Sequence, residues 1–397
     1  MPEQAARTIA VSSGVAEDSS FGAVTPPLYL STTYTFKGYS EPRQHEYSRT
    51  SNPTRDLLAD TLCALESGAA AIVTASGMSA LDLALSLLRS DDLLLAPHDC
   101  YGGTYRLIQQ RAQRGHFKVV FVDQNNPDSL EEAFGLHPRL VLAETPSNPL
   151  MRVVDIAALA AMAKRSGALL AVDNTFLSPA LQNPIPLGAD LVIHSTTKYL
   201  NGHSDVVGGA VIAASTEIAE ELTQWANITG VTGSPFDSYL TLRGIRTLHA
   251  RMDLQQKNAL AIAQFLAGHA AVQRVYYPGL PSDPGHATAS RQQRGFGAML
   301  SFELKGGETE MRRFVEALRL FTLAESLGGI ESLAAHPATM THLGMGAEAR
   351  AKAGILDSLV RLSVGLEAEG DLIEDLSGAL DHATGHSGNP LRPAPAG

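Results

Sequence analysis

Cysteine and tryptophan are scarce in this chain of 397 residues, which contains only Cys63, Cys100 and Trp225 of these two types. Two cysteines cannot form a disulfide framework or a four-thiolate zinc site, and we predict no metal centre. Long apolar runs are also missing, since no segment approaches the roughly 18 consecutive apolar residues that a membrane-spanning helix needs. We therefore expect no membrane span.

An excess of basic charge is missing as well. The formal net charge is −11 at pH 7, and the sequence has no long basic run. These features argue against nucleic acid or an anionic membrane as a partner. The first residues, from Met1 to Gln4, lack the basic and apolar regions that begin a secretory signal. We therefore expect a cytoplasmic protein.

The composition is that of a globular protein, with 44% hydrophobic and 18% charged residues. The chain is too long for one ordinary core. We predict an extended N-terminal arm at residues 1–50, a large α/β domain at 51–245 and a smaller α+β domain at 246–397. The arm has little periodicity and is long for a structureless segment, so we expect it to lie across another subunit.

Short apolar runs bounded by turn formers alternate with helical patterns in the large domain, which predicts a mostly parallel sheet with helices on both faces. The first helix should begin at Pro53, with Asn52 as its cap and Gly68 just past its end. The predicted strands are Ala70–Thr74, Leu93–Ala96, Val119–Val122, Arg139–Ala143, Leu169–Val172, Leu191–Ile193 and Gly209–Ala213.

The pattern changes after about residue 246, where a long helix is predicted from Arg251 to about Leu266. Separated strands and further helices follow, as in an α+β domain. The tail, Ser387–Gly397, is rich in glycine, proline and alanine and is expected to be frayed. The predicted strands are Val272–Tyr276, Ala298–Leu304 and Leu359–Val364, and the predicted helices lie near 308–318 and 369–380.

Lys198 follows one of the predicted buried strands, with Ser195 and Thr197 beside it. The ends of strands in α/β sheets present functional groups. A lysine at such a position is partly desolvated, which lowers its pKa and makes the amine a nucleophile toward a carbonyl. Taken alone, Lys198 also fits an ordinary solvated loop lysine.

A phosphate site is indicated at two other strand ends. Ser76, Gly77 and Met78 form a turn into a predicted helix, where free N–H groups attract phosphate. The hydroxyls of Ser195 and Thr197 lie two residues apart and, in an extended segment, face the same side. Ordinary turn-forming and solubility roles explain each of these features equally well on its own.

Three further residues carry chemistry at predicted strand ends or within a strand. Asp173 ends an apolar strand, where a carboxylate needs a partner such as a protonated pyridine nitrogen, a helix cap or a salt bridge. Tyr101, beside two glycines, can stack on a planar ring or pack within its loop. Arg361 interrupts an apolar strand, and its guanidinium matches either a substrate carboxylate or an internal acid.

Taken together, a phosphate cradle, an acid for a ring nitrogen, an aromatic and a reactive lysine are what pyridoxal 5′-phosphate requires. Three segments, 47–54, 172–176 and 194–205, resemble signatures of the Cys/Met-metabolism family of pyridoxal-phosphate enzymes. The resemblance extends from about residue 8 to about residue 380 and implies the fold type I of pyridoxal-phosphate transferases.

The resemblance also implies a role for each site residue. Lys198 carries the cofactor and moves protons, and Tyr101 acts beside it as a catalytic and ring-stacking residue. Tyr47 and Arg49 reach the phosphate from a neighbouring subunit in a homotetramer built of two dimers. The implied cofactor-binding residues are Tyr47, Arg49, Ser76, Gly77, Met78, Tyr101, Asp173, Ser195, Thr197 and Lys198. The implied residues for small amino-acid substrates are Arg106, Asn148, Glu325, Ser326 and Arg361.

The choice of reaction within the family rests on a few positions. Leu327 stands where β-lyases of the family usually carry tryptophan, and Gly103 stands where methionine γ-lyases carry cysteine. Glu325 is typical of γ-synthases and cystathionine γ-lyases, and Arg106 and Arg49 suit a distal carboxylate such as a succinyl group. The resemblance therefore implies γ-replacement on O-succinyl-L-homoserine by L-cysteine, with cystathionine γ-elimination as the alternative.

Two other classes of protein are alternatives. A nicotinamide oxidoreductase needs a Gly-x-Gly-x-x-Gly turn near the start of its α/β domain, and the sequence has none there. A binding protein without catalytic activity is the other alternative. It is distinguished by the absence of a coloured, borohydride-sensitive cofactor on lysine.

Overall fold

Two β-sheets organise the chain in a computed structural model that describes residues 4–385. The larger sheet has seven strands in the order β1-β7-β6-β5-β4-β2-β3. All neighbours are parallel except β7, which runs antiparallel to β1 and β6. Its strands are β1 Ala70–Thr74, β2 Leu93–Pro97, β3 Lys118–Val122, β4 Leu140–Glu144, β5 Leu169–Asp173, β6 Leu191–His194 and β7 Gly209–Ala213.

Apolar residues cover both faces of this sheet. Leu94 and Ala96 belong to one core cluster and Leu95 to another, because successive side chains of a strand point to opposite faces. Such double burial is expected of a parallel sheet between helices. The helices of this part of the chain are α1 Ala6–Ser12, α2 Pro53–Glu66, α3 Gly77–Leu85, α4 Gly102–Gln113, α5 Pro127–Phe134, α6 Ile156–Ser166, α7 Ser178–Leu181, α8 Thr216–Thr229 and α9 Pro235–Ile245.

The smaller sheet has five strands in the order β10-β11-β12-β9-β8, and only β10 and β11 are parallel. Its strands are β8 Val272–Tyr276, β9 Met299–Leu304, β10 Thr322–Leu323, β11 Leu333–Ala335 and β12 Leu359–Ser363. Its helices are α10 Leu248–Gly268, α11 His286–Gln292, α12 Glu308–Ala317, α13 Ala347–Ala353 and α14 Glu369–Thr384.

The predicted fold class, a mostly parallel α/β sheet with a smaller α+β part, is confirmed. The structure differs from the sequence prediction near the N-terminus, because Ala6–Ser12 form a helix in the arm that we expected to be extended. Gly68 does not adopt the left-handed conformation at the end of α2, which Ser67 takes instead with φ of 60°. Gly68 is instead needed because a side chain there would collide with Ile212.

Several elements were not predicted, among them α5, α8, α9, β10 and β11. The domain limits at residues 50 and 245 stay a prediction, although α10 begins at Leu248, close to the second limit. The tail at 387–397 lies outside the described residues. Within residues 4–385, no helix is both long and apolar enough to cross a membrane.

Candidate active site

A cavity of about 390 Å³ lies between the carboxyl ends of the central strands of the large sheet and residues of the smaller sheet. Its position agrees with the rule that open α/β sheets bind ligands at strand carboxyl ends. The sequence-predicted residues that line it are Ser76, Gly77, Met78, Tyr101, Asn148, Asp173, Ser195, Thr197, Lys198, Glu325, Ser326 and Arg361.

Lys198 enters this cavity from the turn that follows β6, where its backbone N–H donates to the carbonyl of Ser195 at 3.2 Å. Its Nζ donates to Oγ of Ser326 at 2.8 Å. Burial and the cationic Arg361 lower the pKa of Lys198 to about 8, against the opposing effect of Glu325. The amine is therefore much more readily neutral, and thus nucleophilic, than that of an exposed lysine.

The N-terminus of α3 forms one wall of the cavity. Ser76 caps this helix by accepting the N–H of Ser79 at 3.0 Å, and the first N–H groups of a helix have no partner within it. A Cβ built on Gly77 would lie 2.7 Å from Cβ of Ser195, so only glycine permits this approach. This wall suits a phosphate, because it combines the positive end of a helix dipole with free backbone N–H groups and side-chain hydroxyls. Thr197 lines the cavity nearby.

Asp173 is the last residue of β5, and one of its oxygens accepts the N–H of Thr175 at 3.0 Å. Burial raises the pKa of Asp173, while the hydrogen bonds from Thr175 oppose this rise. A buried carboxylate of this kind is stabilised by a cation. The protonated nitrogen of a pyridine ring is a cation of the required kind.

Arg361 lies on β12 with 2% of its surface exposed. Its two terminal nitrogens donate to Oδ1 of Asn148 at 3.0 Å and to the carbonyl oxygen of Ser326 at 2.7 Å. Its Nε has no hydrogen-bond partner among the described residues. Burial lowers the pKa of Arg361 to about 10, so it stays cationic at neutral pH and can accept a substrate carboxylate.

Ser326 connects the lysine and the arginine. Its φ of 86° lies in the left-handed region that residues other than glycine seldom adopt. In this conformation its hydroxyl meets Lys198 while its carbonyl meets Arg361. Backbone strain of this kind persists where the surrounding structure holds it, often at functional sites.

Sequence reasoning missed three residues of this region. Glu144 and Thr175 line the cavity beside Asp173, and His342 is buried behind Tyr101 with ring centroids 6.4 Å apart. Glu144 ends β4 just as Asp173 ends β5, so the same strand-end argument could have identified it. No local pattern in the sequence identifies His342, because it reaches the region only through tertiary packing.

Three predicted residues do not line the cavity. Tyr47 is 49% exposed, and Nη1 of Arg49 donates to the backbone oxygen of Asn227 at 2.5 Å and to its side-chain oxygen at 2.9 Å. Arg106 is exposed on α4, where its side chain lies beside Gly344. A single chain therefore does not bring these residues to Lys198.

The sequence matches the family model described as "Cys/Met metabolism PLP-dependent enzyme" over residues 7–381. The chain belongs to this family. It is 58% identical to cystathionine gamma-synthase of Escherichia coli over 93% of this chain and 96% of that protein. It is 45% identical to cystathionine gamma-lyase of Bacillus subtilis over 95% and 99% of the two chains.

A solved structure of cystathionine gamma synthase from Xanthomonas oryzae pv. oryzae, in complex with aminoacrylate and cysteine, is also similar. It is 56% identical, has a TM-score of 0.96, and the match covers 97% of this chain and all of that one. The protein is thus an enzyme of the trans-sulfuration group that acts at the γ-carbon, and its cofactor is pyridoxal 5′-phosphate.

The site fits this cofactor. Because Gly77 has no side chain, the N-terminus of α3 has room beside it for a phosphate. The half-buried amine of Lys198, with its lowered pKa, is suited to covalent attachment. Asp173 supplies the buried acid for the ring nitrogen, and the unpartnered Nε of Arg361 suits a further anion. The individual assignments stay predictions.

Proposed function

We propose that the protein catalyses γ-replacement, in which L-cysteine displaces succinate from O-succinyl-L-homoserine to give L-cystathionine. The observation that carries the proposal is the cavity itself, where Lys198, Arg361 and Glu325 meet. This set provides a nucleophilic amine, a carboxylate clamp and an acid for a substrate amine. The 58% and 56% identities with gamma-synthases support the same choice.

Each proposed role follows from the chemistry of the side chain. Lys198 holds the cofactor and then moves protons at Cα and Cβ of the substrate, because its lowered pKa allows both protonation states near neutral pH. When bound, pyridoxal phosphate draws electrons from the substrate carbanion. Asp173 keeps a proton on the ring nitrogen, and Tyr101 covers the ring. The phosphate is held by Ser76, Gly77, Met78, Ser195 and Thr197.

The substrate side of the cavity is formed around Arg361. Its guanidinium takes the α-carboxylate, and Asn148 and Ser326 orient it through the hydrogen bonds at 3.0 and 2.7 Å. Glu325, which is exposed at the cavity, meets the amine of the incoming amino acid. A charge-assisted pair is roughly twice as strong as a neutral hydrogen bond, so Arg361 selects a carboxylate on the first substrate and Glu325 selects an amine on the second.

Cystathionine γ-elimination is the second candidate, favoured by the 45% identity with the Bacillus gamma-lyase over nearly the whole chain. The two reactions are separated by supplying O-succinylhomoserine with and without cysteine, and cystathionine alone. We expect cystathionine and succinate in equal amounts when cysteine is present. Faster formation of 2-oxobutanoate from cystathionine than of cystathionine from O-succinylhomoserine would replace the synthase with the lyase.

We also propose that Arg106 binds the distal carboxylate of the succinyl group, although Arg106 does not line the cavity in the single chain. Arg106→Ala should then raise KM for O-succinylhomoserine far more than for O-acetylhomoserine, which lacks that carboxylate. Loss of one charge-assisted pair corresponds to roughly 1.5–3 kcal/mol, or about 10- to 150-fold. Equal changes with both substrates would show that Arg106 does not read the acyl group.

We propose a homotetramer built of two dimers that share active sites, and the exposed N-terminal arm supports the association of subunits. Phe21 is 95% exposed and Tyr39 is 99% exposed, and Val24, Leu30 and Phe36 of the same arm are exposed as well, a concentration of apolar residues that is typical of a subunit contact. Tyr47 and Arg49 lie on the same arm, away from the cavity of their own chain. We therefore assign both residues to the phosphate site of a neighbouring subunit.

Mixing two inactive variants tests the shared site. Arg49→Ala and Lys198→Ala subunits should regain activity on exchange, because some hybrid sites take the arm from one chain and the lysine from the other. Size-exclusion chromatography with light scattering gives the number of subunits and confirms that hybrids form. Hybrids without activity would place Arg49 in the site of its own subunit or outside any site.

A further inference from the structure

Glu144 is a buried carboxylate to which the preceding roles give no task. It is the last residue of β4, and 7% of its surface is exposed. Its Oε2 accepts the backbone N–H of Tyr101 at 2.9 Å, and its Oε1 accepts the backbone N–H of Asn148 at 2.8 Å. One side chain thus binds two loops that leave neighbouring strands of the sheet.

Both loops carry groups with proposed roles in the cavity. Tyr101 precedes α4 and lines the cavity, while Asn148 holds Arg361 through its Oδ1 at 3.0 Å. The hydrogen bonds therefore run without a break from Tyr101 through Glu144 and Asn148 to Arg361. The same chain continues to the carbonyl of Ser326 at 2.7 Å.

A second contact joins the same two loops. Nε2 of His342 lies 2.9 Å from the carbonyl oxygen of Asn148, and because that oxygen can only accept, Nε2 carries the proton. Burial and Arg361 lower the pKa of His342 to about 4, so the ring is neutral. The rings of His342 and Tyr101 form a T-shaped pair with an interplanar angle of 89°. Tyr101 is thus held at its backbone by Glu144 and at its ring by His342.

The environment of Glu144 is costly for a carboxylate. Glu144 pairs with Asp173 in the register of β4 and β5, which places two acids side by side. Burial and Asp173 raise the pKa of Glu144 well above its usual range, and only the N–H groups of Tyr101 and Asn148 oppose this. A buried acid is tolerated when its hydrogen bonds are satisfied, as they are here.

We propose that Glu144 is a positioning residue. Through Asn148, it holds the aromatic ring of Tyr101 in a fixed position relative to the guanidinium of Arg361. This inference rests on the proposed function, because it takes the roles of Tyr101 and Arg361 from it. The carboxylate acts as a rigid bridge: displacement of either loop lengthens a hydrogen bond at the other. Substrate binding at Arg361 is thereby linked to the stacking of Tyr101 on the cofactor.

Glu144→Gln in the full-length holoenzyme tests the bridge. An amide has one acceptor oxygen and turns its NH₂ toward the second N–H, so one of the two contacts is lost. We expect backbone hydrogen exchange at Tyr101 or Asn148 to accelerate, and the visible circular dichroism of the bound cofactor to weaken. KM for O-succinylhomoserine should rise about tenfold, with a smaller change in kcat.

Glu303→Gln is the matched control, because Glu303 is also a buried strand carboxylate, 8% exposed, and lies outside the cavity lining. It should leave all these signals unchanged. If Glu144→Gln does not fold, Glu144→Asp keeps the charge but withdraws it by about 1.5 Å, one C–C bond, and should change the same signals in the same direction.

Unchanged exchange at both amides would overturn the proposal, and so would accelerated exchange with unaltered dichroism and KM. Failure of the proposed function looks different. In that case the wild type and Glu303→Gln would both lack γ-replacement. Failure of the bridge leaves γ-replacement intact in both of these proteins.

Discussion

Replacing Arg361 with methionine should make Lys198 harder to deprotonate in protein stripped of its cofactor. Burial is the first cause that lowers the pKa of Lys198 to about 8, and the charge of Arg361 is the second. Both groups bind Ser326, Lys198 at the hydroxyl and Arg361 at the carbonyl oxygen. Methionine keeps most of the volume and removes the charge, so the amine gains a proton more readily.

The two contacts with Ser326 bring both cations to one residue, so the charges repel at short range. Two unit charges about 6 Å apart at an effective dielectric constant of about 20 repel by about 2.8 kcal/mol, equivalent to a pKa difference of about 2. The pKa of Lys198 falls from 10.5 to about 8, and burial is the larger cause of this fall. The contribution of Arg361 is therefore smaller than that of burial. We expect Arg361→Met to raise the pKa of Lys198 by about 1, or about 1.4 kcal/mol.

The assay is competitive labelling of amines with a trace reagent, followed by mass spectrometry of the peptide that contains Lys198. Only the neutral amine reacts, so in the wild type labelling should rise with pH through a midpoint at about 8. The profile of Arg361→Met should be displaced upward by about one pH unit.

Arg55→Met is the control, since Arg55 is 6% exposed and donates to Gly233, outside the cavity lining. Its labelling profile at Lys198 should match that of the wild type. Superimposable profiles for Arg361→Met and the wild type would refute the reasoning. A wild-type midpoint near 10.5 would refute the burial of the lysine itself.

Two further substitutions test the cofactor side of the cavity. Asp173→Asn should leave the thermal midpoint nearly unchanged. It should make exchange of the substrate Cα proton slower, because the ring nitrogen of the cofactor loses its acidic partner. An unchanged exchange rate would assign that role to another residue. Gly77→Ala should lower the free energy of unfolding by about 1–3 kcal/mol, as overpacking does, because its Cβ would meet Ser195 at 2.7 Å. It should also weaken cofactor retention in equilibrium dialysis, and retention equal to the wild type would show that α3 does not form the phosphate site.

The strands of the large sheet were predicted from sequence nearly to the residue, for a physical reason. Each is a short, largely apolar run bounded by turn formers, and the inner strands β4, β6 and β7 are buried on both faces, so local pattern and tertiary burial agree. Ala70–Thr74 and Gly209–Ala213 coincide with β1 and β7. Where the pattern is weaker the prediction failed, as for the seven-residue helix Ala6–Ser12.

The candidate site divides in a similar way. Lys198 and Asp173 were identified because strand ends meet at one sheet edge, and both line the cavity. Pairing between distant segments, such as the contact of Ser326 with Lys198 across 128 positions, has no local signal. Ser67 took the left-handed position predicted for Gly68, because Gly68 must approach Ile212 and the chain turns one residue earlier.

Peptide mapping tests most directly whether Lys198 carries the cofactor in this cavity. The holoenzyme is reduced with borohydride, digested and analysed by mass spectrometry for a pyridoxyl group. We predict that the group is found on the peptide that contains Lys198 and that Lys198→Ala protein carries none. A pyridoxyl group on another lysine of the wild type, or one retained by Lys198→Ala, would contradict the account.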